Sequence, residues 1–140
     1  MSSYVPAALR RLVLARAQGQ CEYCRFPQLA AFLPFEVEHI ISEKHGGLTE
    51  ETNLALACPY CNDHKGTDLG SLDPETGILT PFFHPRKQRW PDHFALRGVQ
   101  IAPLTAEGRV TINILQFNRA ERLAEREILI AAGWYRDTAV

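Results

Sequence analysis

All four cysteines of this 140-residue chain fall in two Cys-x-x-Cys pairs, Cys21 with Cys24 and Cys58 with Cys61. A pair at this spacing forms a tight knuckle that presents two thiolates to one ion. Four thiolates around one centre suit structural zinc, which prefers a tetrahedron and sulfur or nitrogen donors. Four merely buried thiols would have no need of the paired spacing. A redox Cys-x-x-Cys needs a thioredoxin-like setting that this chain lacks. Simple ribbons separate their pairs by roughly 15–20 residues. Here residues 25 to 57 intervene, so a zinc ion would clasp both ends of an inserted unit. His64 follows Cys61 by three positions, but four sulfurs already fill the tetrahedron and leave it outside the zinc shell.

The insert carries a second set of reactive groups. FEVEHII, residues 35 to 41, alternates like a strand and places Glu38 beside His39. Asn53 lies at the start of the next apolar run, and Asn62 and His64 follow the last cysteine. Carboxylate and amide oxygens are hard donors that suit Mg2+ or Mn2+. A neutral imidazole beside such an ion can act as a general base. A regular strand sends consecutive side chains to opposite faces. Glu38 and His39 therefore serve one cleft only if the strand ends, twists or bulges there, unless metal and phosphorus lie on different sides of the pair.

These groups need elements to position them. Pro6 and the spacing of Leu9, Leu12, Val13 and Arg16 predict a helix over 6–18, with Gly19 just past its end. Strands are expected over 35–41 and 53–58, separated by a polar turn with Gly46-Gly47. A short helix follows Cys61 and ends at glycine. Residues 73 to 94 read as a loop with turns at Asp73-Pro74 and Gly77. A hairpin should turn at Arg97-Gly98. Residues 106 to 116 are ambiguous between helix and strand and are taken as a helix capped by Thr105. A further helix spans 119–132, with Asn118 and Glu121 as a capping box and Ala120, Leu123, Ala124, Ile128 and Ala131 on one face. The sum is an α+β fold: two strands and a helix clasped by zinc, an N-terminal helix, and an extension with a hairpin and helices.

The length suits one domain. A net charge of −1 argues against wrapping nucleic acid by bulk charge. No apolar run reaches the length of a membrane span. Arg10 and Arg11 interrupt any signal-peptide core, so a cytoplasmic location is expected, where disulfides are disfavoured. Local basic groups remain. Lys65 could reach a phosphate, and Arg86, Lys87 and Arg89 flank Trp90, which could track a nucleic-acid backbone or equally be core. Arg119, Arg122 and Arg126 recur at helical spacing among Glu121 and Glu125 and read as a solvated face. His45, His84 and His93 have no comparable context.

In order and spacing, CEYC, VEHIISEKHGG and NLALACPYCNDHKG resemble the HNH endonucleases across residues 21 to 66. The preceding helix and the later HPRKQRWPDHF look like standalone bacterial members. The resemblance implies a ββα-metal (His-Me finger) core over about 18–70, an extension over about 71–140, and one nuclease domain over 1–140. It implies metal-dependent cleavage of DNA phosphodiester bonds, leaving a 5′ phosphate and a 3′ hydroxyl. His39 matches the general base, and Asn53 matches the asparagine that braces the loop orienting it. Glu38 and Asn62 match ligands of the catalytic Mg2+ or Mn2+, with His64 as the alternative to Asn62. Cys21, Cys24, Cys58 and Cys61 would hold the structural zinc. Two alternatives use the same scaffold without catalysis: a zinc module that binds nucleic acid, or one that binds protein.

Overall fold

The computed structural model describes residues 4–135; the extreme ends of the expected 1–140 domain lie outside them. Helix α1, Ala7–Ala17, starts after Pro6, whose fixed φ suits a helix entry. It ends at Gln18, which itself takes the left-handed conformation one residue before Gly19. Arg16 Nη2 reaches the carbonyl oxygens of Glu51 and Leu54, both at 2.6 Å, and so ties α1 to the start of the second strand.

Strands β1, Glu36–His39, and β2, Leu54–Ala57, pair antiparallel with Glu36 opposite Ala57 and His39 opposite Leu54. Both are shorter than their apolar runs. Asn53, expected as the first strand residue, sits in a single 3-10 turn and turns its amide inward. β2 is buried along its whole length, which explains its continuous apolar run. Helix α2, Pro59–Lys65, starts before Cys61 rather than after it. Cys58 is its N-cap, Pro59 occupies the first turn, and Cys58 Sγ accepts from the Cys61 N–H at 3.4 Å. Two strands and a helix therefore follow in direct succession.

The extension contains more regular structure than its loop-like composition suggests. Strands β3, Gly70–Leu72, and β4, Leu79–Pro81, form a hairpin across the Asp73–Gly77 turn. Three-residue strands are too short for alternation to register. The turn is instead fixed by Asp73, which accepts from Thr76 Oγ1 and from both Arg109 Nε and Nη2 at 2.8 Å each. A short helix α3, Trp90–His93, leads into the expected hairpin of β5, Phe94–Arg97, and β6, Gln100–Pro103. Helix α4, Ala106–Leu115, is capped by Thr105, whose hydroxyl accepts from Gly108 N–H at 3.1 Å.

Helix α5, Ala120–Ala131, overturns two expectations. Asn118 does not cap it; its amide brackets Ile101, accepting from the N–H at 3.0 Å and donating to the carbonyl at 2.9 Å. The buried face is also not the alanine and leucine face. Arg122 and Arg126 are 2% and 1% exposed, while Ile128 is 70% exposed. The arginine stems pack as apolar rods and their heads find internal acceptors. Trp90 also resolves as core: its indole N–H donates to the Tyr23 carbonyl at 2.7 Å, and its ring joins Phe94, Phe83 and Phe117. One apolar core thus joins the ββα unit to the extension. Among the described residues, no helix is long and apolar enough to cross a membrane.

Candidate metal centre and active site

The two knuckles meet. Cys21, Cys24, Cys58 and Cys61 are all buried, and their sulfurs lie within 4.8 Å of one another. Cys24 Sγ and Cys58 Sγ are 3.7 Å apart, too far for a disulfide. A tetrahedron with Zn–S bonds of about 2.3 Å places its sulfurs about 3.8 Å apart. The cluster thus fits a four-coordinate metal such as zinc. Within each knuckle the third residue's neighbour folds back, so that Cys24 N–H points at Cys21 Sγ from 3.5 Å and Cys61 N–H at Cys58 Sγ from 3.4 Å. The first knuckle docks on the free edge of β2 through Glu22, whose N–H meets Leu56 O at 2.9 Å and whose carboxylate accepts from Leu56 N–H at 2.8 Å.

Burial pushes the thiols of Cys21 and Cys61 well above the ordinary range. Burial acts the same way on Cys24, but hydrogen bonds from the other thiols and the charge of Arg122 outweigh it and bring Cys24 well below. That arginine, read from spacing as solvated, is buried against the sulfurs. No local signal marked it, because its partners lie far away in sequence.

The second set converges beside β1. His39 is the last residue of the strand, and its ring and the Glu38 carboxylate go to different partners. His39, Glu38 and Asn62 line one hollow of about 430 Å³, together with Glu36, Glu43 and Lys44. His39 Nε2 lies 2.8 Å from Thr49 Oγ1, a partner not singled out from the sequence. Glu38 turns inward: Tyr23 Oη donates to Oε1 at 2.5 Å, and Lys65 Nζ meets Oε2 at 3.1 Å. Burial raises the Glu38 carboxyl, and Lys65 and Tyr23 pull it back. His64 points elsewhere, with Nδ1 2.8 Å from the Tyr60 carbonyl oxygen.

Lys65, expected at a phosphate, is 2% exposed. Besides Glu38 it donates to the His39 carbonyl at 3.2 Å, so it locks the strand end rather than facing a ligand. Arg86 is likewise committed, to Glu22. Arg89 is exposed on the rim of a separate hollow shared with Arg16 and Arg25, and Lys87 is exposed.

Asn53 braces the loop that carries Thr49. Its Nδ2 donates to Ile41 O at 2.9 Å and Leu48 O at 3.0 Å, and its Oδ1 accepts from Ile41 N–H at 2.9 Å. Only glycine fits at position 47, where a Cβ would stand 1.7 Å from Ile41 O and 2.8 Å from Asn53 Nδ2. Asn53→Ala is expected to lower unfolding free energy by about 1–3 kcal/mol, because it strands buried backbone groups. Denaturant titration checks this, and an unchanged midpoint contradicts the bracing.

A strand pair and helix closed by four thiols, with a histidine at the strand end, define a ββα unit whose thiols could hold a metal ion. Residues 21–68 match the model of the HNH endonuclease family. That match, with the four-cysteine cluster, points to a nuclease or nucleic-acid-related function with a metal site. Neither a curated protein nor a solved structure matches the chain significantly.

Proposed function

We propose that this chain is a metal-dependent endonuclease that hydrolyses phosphodiester bonds in DNA, with zinc as the structural ion at the four cysteines. The observation that supports it most is the shared hollow: His39, Glu38 and Asn62 line one acid-rich space beside a scaffold with four clustered thiols. His39 is the general base and takes a proton from the attacking water. Thr49 holds one ring nitrogen, and Asn53 fixes the loop behind it. Glu38 and Asn62 would hold the catalytic ion. Each Glu38 oxygen keeps a lone pair beyond its contact with Tyr23 or Lys65. A Mg2+ or Mn2+ bound there supplies positive charge for the phosphate and the leaving 3′ oxygen. Lys87 and Arg89 are the exposed cations that this reading places on the DNA backbone.

One feature favours a second reading. Tyr23 and Lys65 already satisfy Glu38, as they would in a zinc module that binds nucleic acid or protein without cutting. Incubation of supercoiled plasmid with the zinc-loaded protein separates the two. Nicked or linear product that depends on added Mg2+ or Mn2+ is expected. Intact plasmid across both metals rules out the nuclease.

A further inference from the structure

The family match ends at residue 68, yet one side of the thiol cluster is closed by a side chain from residue 122. Arg122 Nη2 lies 2.8 Å from Cys24 Sγ, 3.5 Å from Cys58 Sγ and 3.7 Å from Cys61 Sγ. Its Nη1 lies 3.8 Å from Cys61 Sγ and donates to the carbonyls of Leu115 at 3.1 Å and Gln116 at 3.3 Å. The guanidinium is held over the rings of Tyr60 and Phe117, at 5.1 Å and 5.9 Å from their centroids. Among the described residues, no carboxylate forms an ion pair with it. A buried cation without an acid is costly unless another negative group faces it. The groups that face it here are sulfurs.

A divalent zinc ion with four thiolates carries two surplus negative charges. We propose that Arg122 is the outer-sphere partner of this centre: it neutralises part of the thiolate charge, raises metal affinity, and makes α5 and the extension part of the metal site. The inference rests on the zinc assignment and is independent of the nuclease reading. It also explains why Arg122 is buried without a carboxylate partner. Arg126 supplies the comparison. It sits one turn further on and is equally buried, but it bonds Val99 O at 2.8 Å, Phe117 O at 2.7 Å and Asn118 Oδ1 at 3.2 Å, and touches no sulfur.

The test compares wild type, Arg122→Met, Arg122→Lys and Arg126→Met. Zinc affinity is measured by chelator competition, and the thiolate-to-metal charge-transfer band is recorded on Co2+-substituted protein. Arg122→Met is expected to weaken zinc binding by about 10–100-fold, the usual effect of losing an outer-sphere partner, and to shift the band. Arg122→Lys should fall between Met and wild type, and Arg126→Met should keep the wild-type affinity and spectrum. Arg122→Met with wild-type affinity and band overturns the proposal, as does an equal loss in Arg126→Met, which would trace the effect to the helix. If Arg122→Met does not fold, Arg122→Lys decides: a shifted band with weaker binding supports the assignment, and unchanged values overturn it. A wild-type protein that binds no stoichiometric zinc instead removes the zinc assignment beneath it.

Discussion

On the nuclease reading, replacing His39 with alanine is expected to lower plasmid cleavage by about 10²–10⁴-fold, the range for loss of a general base, and to leave metal content and melting temperature unchanged. The fold should survive because His39 contributes little to the core. It is half-buried at the strand end, and its side chain meets Thr49 in the adjoining loop. Its backbone carries the structural contacts: pairing with Leu54 and the carbonyl that accepts from Lys65 at 3.2 Å. Alanine keeps both. The measurement is initial rate on supercoiled plasmid, alongside metal analysis and thermal unfolding of the same preparation. Wild-type rates in the variant would remove His39 from the reaction. A variant that retains its zinc and melts normally but does not cleave identifies the residue as part of the chemistry rather than of the scaffold.

Replacing Cys58 with serine has the opposite profile: the metal and the fold go together. Cys58 closes β2, caps α2 and faces Cys24 at 3.7 Å. Serine can cap the helix, so the loss does not come from the cap. A hydroxyl is a harder and far less acidic donor than a thiol, and three remaining sulfurs leave the tetrahedron open. Structural zinc can contribute on the order of 10 kcal/mol to folding, which rivals the whole stability of a small domain. Cys58→Ser is expected to purify without stoichiometric zinc and to lose cooperative melting. A variant with normal melting and full metal content contradicts the clasp. The two substitutions together separate the proposed chemistry from the scaffold, since His39→Ala is expected to spare the thiolate-bound ion and Cys58→Ser to remove it.

Much of the ββα unit was legible because its signals are local. Cys-x-x-Cys is a knuckle wherever it occurs, FEVEHII alternates, and Gly46-Gly47 marks a turn. The bracing role of Asn53 came from the family resemblance, and its contacts fit that role. Thr105 illustrates how a cap residue settles an ambiguous segment: the β-branched run 110–114 is helical, with the threonine hydroxyl on Gly108 N–H. The hairpin at 70–81 escaped because three-residue strands carry no measurable period. Asn118 brackets Ile101 instead of capping α5; an asparagine that bonds a distant backbone looks the same in sequence as one that caps a helix.

Donor type and spacing are properties of the chain, so the side chains suited to a soft ion and to a hard one can be read without the fold. Which charges are buried, and what they face, follows from the folded arrangement alone. Arg122 and Arg126 resemble surface arginines until distant sulfurs and carbonyls come to meet them, and Lys65 resembles a phosphate contact until Glu38 turns inward to hold it. The reason is physical: burying a cation depends on partners that folding brings from elsewhere in the chain, and no local pattern records them.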